Sequence, residues 1–390
     1  MKKKIIFVTK ALWIVGIETS LVNLLNRFDY DKYDVTLLVL RAELDMLERI
    51  HPKCRVFIID RDKTVTFQKP YLFSRLYHLT EEAVNPSTLH KRMMWAVPAV
   101  QWEENRFFIR YVRGLLKEEI FDTAIIYSDV VGEITVRAIQ AKKYLMYYHH
   151  GAMRHVYHDR IAWEKCEKII AVSNNQAELL RDYFPDFAEK ITVIHNLTDI
   201  EGIRQKGASD TTEQFDSEKF NIVSVGRVSH EKGMDIAVRV CAKLVQDGYE
   251  NIRWWIVGGG PDMQEVYDTI AKTHMENHVI TVGMQSNPYP YIRQADLYVQ
   301  PSRFEGYPMT ILEALVLGQP VVSTDNNGAK EILREGITGM LRPIDVNQLA
   351  EAIEFFLKNP YSLKKMKKLV VATDFEKNNK NAIHALEMIL

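Results

Sequence analysis

The chain of 390 residues lacks most of what would mark a stapled, zinc-bound or membrane-spanning protein. Its three cysteines, Cys54, Cys166 and Cys241, are far apart and form no Cys-x-x-Cys pair, which argues against a zinc site and a disulfide framework. They read as buried thiols of a reducing compartment. An excess of either charge is missing too. With 50 Lys and Arg against 51 Asp and Glu the net charge is -1, so nothing draws the whole protein to nucleic acid. No apolar run reaches the ~20 residues needed to span a bilayer. The opening MKKKIIFVTKALWIVG is interrupted by Thr9 and Lys10 and has no small-residue cleavage site after it. It therefore reads as a first strand, and a cytoplasmic protein is expected. Absent as well is a full Gly-x-Gly-x-x-Gly fingerprint: in the run IVGGGP, residues 256–261, Met263 holds the final position, so a close-packed turn is expected there.

What the chain does have is alternation. At 390 residues, 47% of them hydrophobic and 26% charged, it exceeds one comfortable core, so two domains are expected. Apolar runs alternate with amphipathic stretches, the pattern of parallel sheets with helical crossovers. The expected strands fall at 4–8, 34–40, 54–60, 122–127, 144–149, 168–173 and 191–195, and a second series at 220–226, 252–258, 279–283, 296–300, 320–324 and 338–342. The polar segment 205–219 lies between the two series and has the composition of an exposed loop. The fold class is thus α/β, with a hinge near residue 197.

The most informative segment is PSRFEGYPMTILEALVLGQPVV, residues 301–322, which sets Glu305 and Glu313 seven residues apart across a helix start. Pro308 suits a first helical turn and Gly318 a helix end, so the helix is expected to begin near Tyr307. The free amides of Gly306, Tyr307, Met309 and Thr310, with the positive end of the helix dipole, make an anion site that fits a diphosphate. In SVGRVSHEKGMD, residues 224–235, Arg227 and Lys232 leave the carboxyl edge of a buried strand, where open α/β sheets bind ligands. Both cations fit a diphosphate and can offset the charge that grows on a leaving phosphate.

Segment 301–322 resembles the signature of the large retaining glycosyltransferase family with the GT-B fold, the family 4 type also called glycosyl transferases group 1, which includes bacterial capsule, cell-wall and glycolipid enzymes. The resemblance implies two Rossmann-like doubly wound domains facing a central cleft. Residues 1–197 would bind the acceptor, 198–371 the nucleotide-sugar donor, and 372–390 would cross back onto the first domain. It puts Glu305 on hydroxyls of the donor hexose, Glu313 on the ribose, and Gly306, Tyr307, Pro308, Met309 and Thr310 on phosphates or sugar. Arg227 and Lys232 match the family's phosphate clamp, and Met284 falls where a backbone group meets the base. Gly16, in a loop after the first strand with Glu18 at the following helix start, resembles the family's glycine loop, although Val15 stands where a second glycine is usual. His150, or its neighbour His149, matches a histidine at a strand end facing the cleft.

The activity so implied is a metal-independent, retaining transfer of a hexose from a nucleoside diphosphate sugar, UDP being the commonest base carrier, to a saccharide or lipid-linked acceptor in surface polysaccharide or glycolipid biosynthesis. No cofactor is implied beyond the sugar nucleotide. Asp29-Tyr30-Asp31 and Asp60-Arg61-Asp62 have the Asp-x-Asp form of metal-dependent transferases but lie away from the clamp, and His155 and His158 lack a completing carboxylate motif. A nucleotide-sugar epimerase and an inactive binding homologue share the two-domain plan. The segment 69–117 mixes Arg75, Lys91, Arg92 and Arg106 with Trp95, Trp102 and Phe107, a composition that suits either a core-facing helix pair or the inner face of an anionic membrane.

Overall fold

The computed structural model describes residues 2–13, 16–59, 108–128, 131–149, 160–209, 215–326 and 328–390. All thirteen expected strands form. β1 (Lys3–Thr9), β2 (Tyr33–Val39), β3 (Arg55–Ile58), β4 (Ile120–Ile126), β5 (Gln140–Tyr148), β6 (Lys168–Ala171) and β7 (Ile191–Val193) make one parallel sheet in the order β3-β2-β1-β4-β5-β6-β7. The second parallel sheet, from β8 (Phe220–Val225), β9 (Ile252–Val257), β10 (Val279–Gly283), β11 (Leu297–Gln300), β12 (Val321–Thr324) and β13 (Gly339–Arg342), runs β10-β9-β8-β11-β12-β13.

These strands were legible because helices cover both faces of a parallel sheet, so the central strands are apolar without alternation. β1 ends in five buried residues, and β11 and β12 are buried throughout. In each sheet the strand order reverses at one place, between β1 and β4 in the first and between β8 and β11 in the second. Loops leaving the carboxyl ends of those strands diverge there and open a crevice, the usual ligand position in a doubly wound sheet. Gly226 to Lys232 and Pro301 to Glu305 line the second crevice, and Lys10 to Trp13 and Tyr127 the first.

The last helix, Glu376–Glu387, packs on elements of the first sheet's half. Arg27 makes a double hydrogen bond to the Glu376 carboxylate (3.0 and 2.9 Å), Asn379 exchanges hydrogen bonds with the Thr198 backbone (2.9 Å each), and Lys143 reaches the Ile389 carbonyl. All three cysteines are buried, and none forms a disulfide. Among the described residues no helix is long and apolar enough to cross a membrane. His150, His155, His158, Asp60, Asp62 and the segment 69–107 lie outside the described residues.

Candidate active site

The site is built around Glu305, at the end of the loop leaving β11. Its side chain is only 6% exposed, and three polar side chains hold its carboxylate. Lys232 donates to both oxygens, at 2.8 Å to Oε1 and 2.7 Å to Oε2, while Gln300 (3.1 Å) and Ser302 (2.7 Å) donate to Oε1. A carboxylate offers about four acceptor positions, two on each oxygen. Oε1 is therefore filled, and Oε2, with one donor, retains room for a hydroxyl. Lys232 has three donors and spends two on the carboxylate, which leaves one for a further anion. An open acceptor position and a free ammonium donor are thus held side by side.

Backbone geometry enforces this pairing. Lys232 ends a short 3-10 turn, His230–Lys232, and Gly233 takes the left-handed conformation (φ 66°) that lets the helix Met234–Gln246 begin. A Cβ on Gly233 would stand 2.2 Å from the Pro301 carbonyl oxygen, so the two crevice loops touch backbone to backbone. Arg303 clamps them further. It reaches Asp235 with both guanidinium nitrogens (2.8 and 2.7 Å) and the His230 carbonyl at 2.8 Å. Arg227 is less engaged: its side chain is 65% exposed and, among the described residues, meets only Glu231, at 3.4 Å.

The helix Met309–Val316 starts two residues later than the sequence implied. Pro308 is its N-cap in extended conformation (ψ 96°) and not part of the first turn. The physical reason is packing: a Cβ on Gly328 would meet Pro308 Cδ at 2.7 Å and the Gly306 carbonyl oxygen at 2.8 Å, so the proline ring is wedged against a backbone. The Pro308 carbonyl accepts from Ile311, whereas the amides of Met309 and Thr310 have no acceptor among the described residues and face the crevice mouth. The Thr310 hydroxyl donates to Gln300, which ties the helix start to the Glu305 network.

Glu313 lies one turn deeper, buried, with the Tyr289 hydroxyl donating to it at 3.3 Å. Burial pushes its carboxyl up from 4.5 to about 7, opposed by that hydrogen bond and by Lys206. The folded protein keeps a proton the unfolded chain gives up. Glu313 therefore costs nothing below its unfolded value, and the cost grows as pH rises from 4.5 to about 7, reaching at most about 3 kcal/mol at 1.36 kcal/mol per unit. Glu313→Gln is expected to raise the melting temperature above neutrality and to change it little near pH 4.5; a gain of equal size at both pH values would contradict this origin.

Gly16 corrects a second expectation, since it is not in a loop: it is the first residue of the helix Gly16–Arg27, which puts Glu18 inside the first turn. A Cβ there would stand 3.9 Å from Met309 Cγ, so the start of this helix abuts the start of the second-sheet helix. Met284, 84% exposed, leaves β10 over Gly259, whose Cβ would meet Met284 Cγ at 2.9 Å. The glycine run is a close-packed turn: Cβ atoms on Gly258 and Gly260 would collide with the carbonyl oxygens of Gly226 (1.9 Å) and Val228 (2.2 Å). Tyr307, between Glu305 and the helix, stacks on His195 with ring centroids 5.1 Å apart and planes 10° apart.

That stack leads to a contact between the two halves which has no trace in the sequence. Glu331, beyond β12, accepts from the backbone amides of Asn174 (2.8 Å) and Asn175 (2.7 Å) and from the Asn174 side chain (3.0 Å), at the positive start of the helix Asn174–Tyr183. His195 Nε2 lies 3.3 Å from the same carboxylate. Glu331→Ala should loosen this closure and enlarge the radius of gyration seen by small-angle X-ray scattering without ligand; an unchanged radius would show that other contacts hold the halves together.

No three His, Cys, Asp or Glu side chains converge into a metal-holding group among the described residues. Asp29 of the first Asp-x-Asp pair is taken up by Lys32 at 3.2 Å. Glu305, Lys232, Arg227, Gly306, Tyr307, Pro308, Met309, Thr310 and Glu313 come together around the second crevice, and Gly16 reaches it from the first sheet. Gln300, Ser302, Tyr289, His195 and Glu331 were missed. Only the Gln300-Pro301-Ser302 run at a strand's carboxyl end could have pointed to the first two.

Known proteins share this fold. The family model Glycosyltransferase Family 4 matches residues 14–201, and Glycosyl transferases group 1 matches residues 206–372. The Campylobacter jejuni N-acetylgalactosamine-N,N'-diacetylbacillosaminyl-diphospho-undecaprenol 4-alpha-N-acetylgalactosaminyltransferase is 29% identical over 201 residues, 51% of this chain and 53% of that protein. A Niallia circulans 2-deoxystreptamine N-acetyl-D-glucosaminyltransferase is 30% identical over 36% of this chain and 37% of its own. The chain thus spans about half the length, or less, of these curated relatives. Anabaena HepE, solved with UDP and glucose, superposes with a TM-score of 0.69 at 17% identity over 99% of both chains. A variant of S. aureus TarM, solved with UDP, Fondaparinux and alpha-GlcNAc-glycerol, gives 0.73 at 12% identity over 98% of both. With two parallel sheets in this order and the two family models matched one after the other along its length, the chain belongs to the GT-B glycosyltransferases of family 4, glycosyl transferases group 1.

Proposed function

We propose that the protein is a hexosyltransferase that moves a hexose, with retention and without a metal, from a nucleoside diphosphate sugar to a saccharide or lipid-linked acceptor. The Lys232–Glu305 pair carries this reading, because one oxygen of Glu305 remains open to a sugar hydroxyl while the ammonium beside it keeps a donor for a phosphate. In this reading residues 198–371 bind the donor. Residues 1–197, with 372–390, bind the acceptor. The diphosphate lies before the amides of Gly306 to Thr310, the ribose meets Glu313, the base lies near Met284, and Gly16 faces the phosphates. As the bond from the sugar to the diphosphate breaks, Lys232 and Arg227 meet the charge left on the phosphate, at a site whose donors are already in place. Glu305 orients the sugar and, held by a cation and two neutral donors, is no nucleophile. His150 is assigned to a sugar hydroxyl or the reacting centre.

UDP is the base carrier we favour, since HepE and TarM were each solved with UDP. A lipid-linked acceptor is supported by the diphospho-undecaprenol substrate in the name of the Campylobacter relative. Surface polysaccharide or glycolipid synthesis at the inner face of the cell membrane follows from that acceptor. If residues 69–117 dock there, Lys91→Ala with Arg92→Ala should abolish sedimentation with anionic liposomes, and undiminished sedimentation would leave the protein without this membrane contact.

The test is release of free nucleoside diphosphate from a panel of UDP-, GDP- and ADP-sugars, with and without chelator. Release from one donor, undiminished by chelator, supports the reading. Conversion of a donor to its epimer without release would make the protein an epimerase, and absence of both binding and release would make it an inactive homologue.

A further inference from the structure

The segment that joins the two halves carries one ring that belongs to both. Ser20 donates to the Asn196 side chain (2.9 Å), Asn23 donates to the Leu197 carbonyl (3.0 Å), and Asn379 exchanges hydrogen bonds with the Thr198 backbone (2.9 Å each). Residues 196–198 are thereby fixed to the helix Gly16–Arg27 and to the last helix. His195, directly before them, reaches the other way. Its ring lies on Tyr307 with planes 10° apart, and its Nε2 meets Glu331 at 3.3 Å, so both partners are on the second half.

Glu331 does not need the imidazole for its own sake. Three N–H groups of Asn174 and Asn175 already take three of the roughly four acceptor positions of its carboxylate. With the carboxyl held below its ordinary value, burial being outweighed by the bonds from His195 and the two amides, Glu331 is an acceptor only, and Nε2 must carry the hydrogen. That bond sets the plane of the ring. The plane it sets is the one that matches Tyr307.

Tyr307 is buried and stands between Glu305 and Pro308, in the run that opens the helix Met309–Val316. Three contacts pin this run: Lys232 holds the Glu305 carboxylate, Gly328 backs the Pro308 ring, and His195 covers the Tyr307 ring. The first two come from the second half itself. Only the third comes from the first half and is lost when the halves part. Tyr307 cannot shift without its own amide and those of its neighbours, which face the crevice mouth.

We propose that His195 is a positioning residue of the nucleotide site: aimed by Glu331, its ring holds Tyr307 and the run from Glu305 to Met309, so that the site has its full affinity only while the halves are closed. The inference rests on the reading of the second crevice as a nucleoside diphosphate site. By linkage, a nucleotide that binds the closed form better must favour closure by the same factor.

The experiment is calorimetric titration of UDP into wild type, His195→Gln and His195→Phe, with the radius of gyration of each measured by small-angle X-ray scattering without ligand. Gln keeps an N–H for Glu331 but no ring, and Phe keeps a ring but no N–H. His195→Gln should bind UDP about 3–10-fold more weakly at the wild-type radius, the share a ring pair of this kind commonly supplies. His195→Phe should recover the wild-type affinity, which a merely structural role for the histidine would not produce. A Gln variant that binds as tightly as wild type, or a Phe variant as weak as the Gln variant, would overturn the proposal. A Gln variant whose radius grows as its affinity falls would overturn it too, making His195 a closing contact and nothing more. Failure of the wild type to bind UDP defeats the nucleotide reading of the crevice, and this inference with it.

Discussion

Lys232→Ala is expected to lower turnover of the preferred donor by about 10²–10³-fold, the loss typical when one preorganised charge donor is removed from a transition state. The magnitude follows from what the ammonium does. It is already bound to both oxygens of the buried Glu305, at 2.8 and 2.7 Å, so it meets a phosphate without first being ordered. Its loss also leaves Glu305 with only Ser302 and Gln300 as donors, a buried charge without a countercharge. Arg227→Ala should cost much less, because that side chain is 65% exposed and makes one long contact. Steady-state UDP release by the two variants decides the order; equal losses would mean that Arg227 swings in on donor binding and shares the clamp.

Gly233→Ala should destabilise the fold by about 3 kcal/mol, combining the left-handed strain of a non-glycine residue with a backbone collision. The added methyl would stand 2.2 Å from the Pro301 carbonyl oxygen, a rigid partner that a rotamer change does not move. For a domain of this size that corresponds to a melting point lower by about 6–12 °C. Since Lys232 precedes Gly233 and the loop from Pro301 carries Glu305, the same push separates the pair, and turnover should fall with stability. A melting temperature within a degree or so of wild type would show that the loops can part freely.

How much was legible follows from what a sequence records locally. Strands covered on both faces appear as apolar runs, which is why β8, β9 and β11 could be read directly from FNIVSV, IRWWIV and LYVQ. The Glu305 and Glu313 pair, Lys232 and Gly233 lie within short stretches whose turn chemistry is visible. Helix starts were less well marked, because they depend on what packs against them: Gly328 holds Pro308 out of the first turn, and the Gly16 helix begins against Met309. The partners that complete the site come from far along the chain. Glu331 reaches Asn174 across 157 positions, and Tyr289 reaches Glu313 across 24, with no period or motif to announce either. Glu18 was placed near a helix start by sequence, but that its Oε2 is buried without a hydrogen-bond partner among the described residues appears only in the fold.

The crevice between β8 and β11 is held to be a nucleoside diphosphate site, and calorimetric titration with UDP tests that most directly. One UDP should bind per chain, at least about tenfold more weakly to Lys232→Ala and to Glu313→Ala, the loss of one good polar contact to each end of the ligand. Binding of equal strength to wild type and both variants would place the nucleotide elsewhere and contradict the assignment.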